Sequence, residues 1–138
     1  MSHVYSEQQL DHYLAIMDRI AELWWQQFPE RAAYSPGYWH LFMGLYKHRK
    51  QAITKSEAAE FLTAAQIKSP ATRAKVIAGA IKLGYVSEQK SQVDKRANLV
   101  KMTPKLERKM QEYLSESLLT MSEALKSINK SRSISHNL

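Results

Sequence analysis

The chain has 138 residues, which suits one folded domain with a core of its own, and we predict a single domain over residues 1–138. It contains no cysteine, which excludes disulfides, thiolate metal sites and cysteine-based redox sensing. No apolar run approaches the roughly 18 residues that a membrane-spanning helix needs, and the amino terminus is polar without a signal-peptide core. We therefore expect a cytoplasmic protein.

The whole chain has a net charge of +7, and the positive charge is concentrated in its middle. Fifteen lysines and arginines stand against only five acidic residues between positions 47 and 109, whereas the first 46 residues carry two basic and five acidic side chains. A polyanion such as duplex DNA attracts a surface of this kind because binding releases condensed counterions. The charge alone does not exclude RNA, anionic lipid or a solvated surface without a partner.

The first three predicted elements are helices. The first occupies residues 5–28 and has an apolar stripe at helical spacing, formed by Leu10, Leu14, Met17, Ala21, Trp24 and Phe28. Ser35 and Pro36 mark the start of a second, strongly apolar helix. Thr54 and Glu57 have the spacing of a capping box at the start of a third helix. These signals predict a helical first half of the chain.

A fourth helix is predicted over residues 69–83. Ser69 is a favourable N-cap residue, and Pro70 fits the first turn because its missing N–H would have no partner there. Val76, Ile77 and Ala80 cluster on one side at helical spacing and are expected to face inward. Gly84 supplies the left-handed residue that ends the helix.

A basic β-hairpin follows this helix. Residues 85–89 and 97–103 are the predicted strands, and Val100 and Met102 lie two apart, so both should face the core. The polar turn between the strands covers residues 90–96. A capped helix followed by a basic hairpin is the arrangement of a winged helix-turn-helix, which binds DNA.

The last predicted helix occupies residues 104–128, with Thr103 as its N-cap. Its apolar positions recur at steps of three, four and seven: Leu106, Met110, Tyr113, Leu114, Leu118, Met121, Leu125 and Ile128. Both terminal helices have a longer apolar face than one small domain can cover, so we predict that they pair with their copies in a homodimer. Packing of the two helices on each other within one chain is the alternative. Residues 129–138 lack apolar periodicity and are expected to form a flexible tail.

Ten residues between 69 and 103 follow one pattern: a Ser-Pro-x-Thr helix start, Gly-x-Val at the helix end, and Asp-x-Arg leading into Val-x-Met-Thr. They are Ser69, Pro70, Thr72, Gly84, Val86, Asp94, Arg96, Val100, Met102 and Thr103. In this pattern the chain resembles the MarR family of bacterial transcriptional regulators. The chain departs from the family at Arg73, where a small apolar residue is usual. The connection between the third helix and Ser69 is also about one helical turn longer than is usual for the family.

The resemblance implies a mainly α fold with a small β-hairpin wing, a winged helix-turn-helix with long N- and C-terminal dimerisation helices. The dimerisation helices would be residues 5–28 and 104–128. The DNA-binding core would be residues 36–103, with the wing at 85–103 and the flexible tail at 129–138. Regulation of transcription is the function that the resemblance implies.

Nine residues are predicted to contact DNA: Ser69, Thr72, Arg73, Lys75, Lys90, Gln92, Lys95, Arg96 and Lys55. Thr72 and Lys75 would lie on the outward stripe of the recognition helix 69–83, together with Gly79 and Lys82, and enter the major groove. The wing turn 90–96 would lie at the minor groove, into which the resemblance implies that Arg96 inserts. Asp94 would hold Arg96 or a nearby amide in place. Backbone phosphates could also be met by Lys47, Arg49 and Lys50.

We therefore expect a sequence-specific double-stranded DNA-binding transcriptional regulator that acts as a homodimer. The alternative is a winged-helix protein–protein interaction module without specific DNA binding. The five histidines lack metal-ligand spacing and the four glycines are isolated, so we predict no catalytic, cofactor-binding or metal site, and no enzyme. A pocket for a small-molecule effector could be lined by Trp24, Trp25, Tyr34, Tyr38 and Trp39, although aromatic residues more often pack in the core. No membrane partner is expected.

Overall fold

The computed structural model describes residues 4–136. Its helices and strands are α1 (Glu7–Gln27), α2 (Pro36–Lys47), β1 (Ile53–Thr54), α3 (Lys55–Glu60), α4 (Pro70–Lys82), β2 (Val86–Lys90), β3 (Asn98–Met102) and α5 (Pro104–His136). Short 3₁₀ turns cover Arg31–Tyr34 and Phe61–Ala65. The chain divides into two compact units: a terminal unit of residues 1–27 and 112–138, and a central unit of residues 28–111. The predicted fold class, mainly helical with a small wing, is confirmed.

Side-chain caps set the starts of four helices, as the sequence predicts. The Ser35 hydroxyl accepts a hydrogen bond from the Gly37 amide at the start of α2. Thr54 and Glu57 form the complete capping box of α3. The hydroxyl groups of two further residues, Ser69 for α4 and Thr103 for α5, accept from amides in the first turn. Each cap satisfies an amide that has no partner within its helix.

The wing belongs to a three-stranded antiparallel sheet in the order β1-β3-β2. The β2–β3 hairpin runs from the Val86–Met102 pair to the Lys90–Asn98 pair, and Val100 and Met102 are buried as predicted. Strand β1 was not predicted from the sequence. It has two residues, and Ile53 pairs with Val100. Because β1 leads directly into α3, this pairing connects the helix-turn-helix to strand β3 of the wing.

Aromatic rings form the core of the central unit. The rings of Phe28, Phe42 and Tyr85 contact one another with centroid separations of 5.2 to 5.4 Å, and the Tyr38 ring packs edge-on against Phe42 at 5.5 Å. Three of these four ring pairs are edge-to-face, which is one of the favourable geometries for aromatic pairs. Since Tyr85 precedes β2 and Tyr38 lies on α2, this cluster joins the start of the wing to the second helix.

The hydroxyl of Tyr85 donates a hydrogen bond to Glu30 Oε1, with an O–O distance of 2.5 Å. Tyr85 is fully buried, and the second carboxylate oxygen of Glu30 is buried without a hydrogen-bond partner among the described residues. Burial, the hydrogen bond and the charge of Glu30 together raise the pKa of Tyr85 far above the usual value of a phenol. Burial and the same carboxylate also raise the pKa of Tyr38.

Replacement of Tyr85 by phenylalanine should lower the free energy of unfolding at neutral pH by about 1–3 kcal/mol, because the Glu30 carboxylate then loses its donor. The wild-type chain should lose stability above about pH 10, where the unfolded phenol ionises and the folded one does not. The difference between Tyr85→Phe and wild type should therefore narrow in alkaline solution. Urea denaturation at neutral pH and again above about pH 10 tests this. Tyr13→Phe, at a partly exposed tyrosine, is the control. A constant difference would contradict the assignment.

In the terminal unit, α1 packs against the carboxyl-terminal part of α5. The buried contacts are made by Ile16, Ala124 and Ile128, while the rings of Trp24 and Tyr113 meet edge-on at 5.1 Å. The alternative of packing within one chain is therefore what the structure shows for this face. Four residues of the predicted α1 stripe are exposed: Leu10, Leu14, Met17 and Ala21.

Helix α5 continues to His136, through most of the segment that the sequence predicts as a flexible tail. Residues 137 and 138 lie outside the described residues. Within residues 4–136, every helix is too short or too polar to cross a membrane.

Candidate nucleic-acid interface

Helix α4 presents one exposed face in the central unit. Ile77 and Ala80 are buried as predicted, and Val76 is partly buried. Thr72, Lys75 and Lys82 are exposed, so three of the four residues predicted on the outward stripe lie there. The side chains between them on this face are those of Ala71, Ala74 and Ala78. Alanine methyl groups leave the backbone of α4 accessible and can contact the methyl group of thymine.

The prediction that Gly79 faces outward is wrong. A Cβ atom at this position would overlap the hydroxyl of Tyr38 on α2, so the backbone of α4 lies directly against that side chain. Glycine is required here because two protein elements approach each other closely, not because a ligand does. The glycine therefore allows α4 to pack closely on α2.

Ser69 and Arg73 both contact their own protein at the start of α4. The Ser69 hydroxyl accepts from the Thr72 amide at 3.4 Å, so it serves as a helix cap, although the residue is exposed. Arg73 Nε donates to the Ile67 carbonyl oxygen at 2.7 Å, and its Nη1 lies 3.9 Å from Glu60 Oε1. The Arg73 side chain is only 19% exposed. Contact of Arg73 with DNA thus stays a prediction, although its guanidinium already has protein partners.

The wing turn is ordered by its own hydrogen bonds. The Ser91 hydroxyl accepts from the amides of Val93 and Asp94, and Asp94 Oδ1 accepts from the Arg96 amide at 3.0 Å. Asp94 thus holds the Arg96 amide, which agrees both with the predicted role and with an ordinary turn aspartate. Four predicted contact residues are exposed around this turn: Lys90, Gln92, Lys95 and Arg96. The turn therefore presents cationic and polar groups on a defined backbone.

Val93 forms an apolar tip on this turn and was not singled out from the sequence. Its side chain is 99% exposed, more than any other large apolar residue of the described chain. A single valine in a polar turn has no periodic signal, so sequence reasoning could not identify it. Apolar side chains at such tips can contact the sugar edges and base steps of a minor groove.

Lys55 lies beside the two strands of the wing. Its Nζ is 3.1 Å from Glu88 Oε1, and the same oxygen accepts from Asn98 Nδ2 at 2.9 Å. These contacts connect the first residue of α3 to both strands of the hairpin. An exposed ion pair of this kind contributes about 0–1 kcal/mol, so Lys55 can exchange it for another anion at little cost.

A second basic segment follows α2 at residues 47–50. Arg49 stacks on the Tyr46 ring at 4.3 Å and donates to the Tyr46 carbonyl oxygen. Because β1 is antiparallel to β3 and Ile53 pairs with Val100, this segment enters the sheet from the end opposite the wing turn. The basic residues of segment 47–50 and the wing turn 91–97 therefore lie at opposite ends of the sheet.

The aromatic residues considered for an effector pocket divide into two groups. Trp24 and Tyr38 are buried by ring contacts within their own units, whereas Trp25 and Trp39 are 51% and 41% exposed. The side chain of Tyr34 lies outside the described residues. Within the part of the chain that the structure describes, no three histidine, aspartate or glutamate side chains are grouped closely enough to hold a metal ion.

Solved structures with the same fold were found. A mutant of Staphylococcus aureus MepR bound to an oligodeoxyribonucleotide matches with a TM-score of 0.70 at 13% identity, covering 96% of this chain and 93% of that one. A MepR–DNA complex from the same organism matches with a TM-score of 0.62 at 16% identity, covering 94% and 98%. The heme sensor protein PefR, in complex with heme and carbon monoxide, matches with a TM-score of 0.54 at 25% identity, covering 95% of this chain and 88% of that one.

These similar structures are MarR-family winged-helix transcription regulators, so this chain has the fold that its sequence pattern predicts. Neither a family model nor a curated protein matches the sequence itself. The similarity therefore lies in the arrangement of helices and strands more than in residue identity.

Proposed function

We propose that this chain is a sequence-specific, double-stranded DNA-binding regulator of transcription. Helix α4 would lie in the major groove, with Thr72 and Lys75 near base edges and phosphates, and the wing turn would lie at the adjacent minor groove with Arg96 inserted. The observation that carries the proposal is that one compact unit exposes both the first turns of α4 and an ordered cationic turn. The solved DNA complexes of MepR, which share the fold, support it.

The charge distribution supports the same proposal. Lys75, Lys90, Lys95 and Arg96 are exposed, and no ion pair is found for them within residues 4–136. Cations of this kind replace condensed counterions on the DNA, and that term favours any duplex irrespective of sequence. Specificity would then depend on the fit of α4 in the groove, since phosphate contacts position a protein and base contacts select the site.

Binding to duplex DNA of random sequence should be measurable at low salt and should weaken steeply as salt is added. If each of these four cations replaces one condensed counterion, the slope of log affinity against log salt concentration should be about −4 for one chain and about −7 for two. Fluorescence anisotropy with a labelled duplex at several potassium chloride concentrations measures this slope. Absence of binding at the lowest salt concentration would reject the proposed function.

We also propose that the protein acts as a homodimer in the cytoplasm. The exposed residues Leu10, Leu14 and Met17 lie on one face of α1, and Leu118, Leu119 and Leu125 are exposed on α5. These side chains remain uncovered although the two helices already pack on each other. A two-fold pair would place two recognition helices about 34 Å apart, one turn of the duplex. We also propose that a small-molecule effector could bind this protein, since PefR, which has the same fold, is a heme sensor.

A protein–protein interaction module is the second candidate function. It is favoured by the basic segment 47–50, which enters the sheet at the end opposite the wing turn. An acidic partner could bind there without any DNA. The salt titration separates the two candidates, because the interaction module predicts no affinity for random duplex DNA even at low ionic strength.

A further inference from the structure

The connection between α3 and α4 has an unusual backbone. After the 3₁₀ turn Phe61–Ala65, Gln66 adopts a left-handed conformation with φ of 64°, although it is not glycine. Such a conformation is unfavourable for a residue with a Cβ atom and persists only when surrounding contacts support it. Here the Gln66 amide donates to the Thr63 carbonyl oxygen at 2.9 Å, and the Ile67 amide donates to the Leu62 carbonyl oxygen at 3.2 Å.

Ile67 connects this segment to the core of the central unit. Its Cδ1 lies so close to Gly37 of α2 that a Cβ atom at Gly37 would be only 2.9 Å away. The side chain of Ile67 is therefore fixed against α2, and its carbonyl group has a defined position. That carbonyl oxygen is the acceptor of the hydrogen bond from Arg73 Nε, at 2.7 Å.

Apolar packing between α3 and α4 is incomplete next to this hydrogen bond. An open cleft of about 240 Å³ lies beside Arg73, between Ala59 on α3 and Pro70 and Ala74 on α4. Small side chains on both helices leave this space, so close packing does not fix the first turn of α4 there. The charged hydrogen bond from Arg73 to the Ile67 carbonyl joins this turn to the connection.

We propose that Arg73 is a positioning residue for DNA recognition and not a DNA contact. Its guanidinium connects the first turn of α4 to the Ile67 carbonyl and so keeps Thr72 and Lys75 in the orientation that enters the groove. The side-chain direction agrees with this role, since helical side chains point towards the amino terminus, where Ile67 lies. This inference rests on the proposed function, because it concerns the geometry of the same interface.

Three substitutions at residue 73 separate positioning from phosphate contact. Arg73→Gln places its amide nitrogen the same number of bonds from the backbone as Nε, so it keeps the donor and removes the charge. Arg73→Met has a similar length but neither donor nor charge. Arg73→Lys keeps the charge but moves the nitrogen one bond further from the backbone.

Anisotropy would be measured with two labelled duplexes, one of random sequence and one that the wild-type chain selects from random DNA. Positioning predicts that Arg73→Gln binds the selected duplex within about twofold of wild type, while Arg73→Met binds about tenfold more weakly, because the competent orientation is depopulated. The salt slope on random duplex should be the same for wild type and both variants. Circular dichroism melting confirms that each variant is folded at the assay temperature.

The inference is overturned if Arg73→Lys retains affinity while Arg73→Gln and Arg73→Met lose it equally with a salt slope shallower by about one, the result expected of a phosphate contact. Wild-type affinity of Arg73→Met would overturn it as well. A free-protein measurement supports the binding data: the Arg73 Nε–H resonance should be protected from solvent exchange and should remain so when random duplex is added. If wild type binds neither duplex, the proposed function fails first, which distinguishes the two failures.

Discussion

The Lys75→Ala/Arg96→Ala double variant should bind its selected duplex about a hundredfold more weakly than wild type. Lys75 is exposed on the first turns of α4 and Arg96 on the ordered wing turn, so the two residues would meet different grooves. A direct contact in either groove contributes roughly 1–3 kcal/mol, and contributions from well-separated sites add. Each single substitution should therefore cost about tenfold. Mobility-shift or anisotropy titration measures all three variants.

A matched control removes the same number of charges elsewhere. Lys126 and Lys130 are exposed on α5 in the terminal unit, which lies outside the proposed interface. The Lys126→Ala/Lys130→Ala variant lowers the net charge equally but should change affinity by less than about threefold, since only long-range attraction is lost. Equal losses in the two double variants would show that net charge alone governs binding. Unchanged affinity of the Lys75→Ala/Arg96→Ala variant would contradict the proposed DNA-binding surface.

The features that could be predicted from the sequence are those with local causes. Thr54 and Glu57 form their capping box because both partners lie within one turn, and Ser69 caps α4 for the same reason. Gly84 adopts the predicted left-handed conformation, with φ of 80°, at the end of α4. In each case, residues only a few positions apart determine the geometry.

Features that depend on distant partners could not be predicted. Strand β1 is only two residues long, and it is a strand because β3, far along the chain, lies beside it. The sequence predicts a DNA contact for Arg73, whereas its Nε donates a hydrogen bond to the Ile67 carbonyl oxygen. The direction of the Arg73 side chain depends on the Ile67 carbonyl, whose position follows from the left-handed Gln66. No pattern of residue types indicates this conformation, since glutamine rarely adopts it.

Periodicity alone also left the packing of the terminal helices undecided. Helix α1 has two overlapping apolar faces, one with Leu10, Leu14 and Met17 and one with Ile16 and Ile20. The structure buries Ile16 against α5 and leaves the other face exposed. Helix α5 continues to His136 without apolar periodicity because extending an existing helix requires no new nucleus.

The contact between Gly79 and Tyr38 predicts an effect on stability that a second substitution should reverse. In Gly79→Ala, the new Cβ atom overlaps the Tyr38 hydroxyl, and Tyr38 is buried and packed against the Phe42 ring, which restricts its movement. Overpacking of this kind costs about 1–3 kcal/mol, partly offset by the higher helix propensity of alanine. The variant should therefore unfold at lower urea concentration and bind DNA more weakly, because α4 must move away from α2.

Removing the hydroxyl should relieve this overlap. In Tyr38→Phe, the nearest remaining atom is Cζ, which would be 3.6 Å from the new Cβ, an ordinary van der Waals distance. The Gly79→Ala/Tyr38→Phe variant should then be at least as stable as Tyr38→Phe alone, since alanine favours the helix by about 1 kcal/mol over glycine. A double-mutant cycle from urea denaturation should give a favourable coupling of about 2 kcal/mol. Ala78→Gly, on the exposed face of α4, should show no coupling to Tyr38→Phe. Additive effects of Gly79→Ala and Tyr38→Phe would contradict the close approach of α4 to α2.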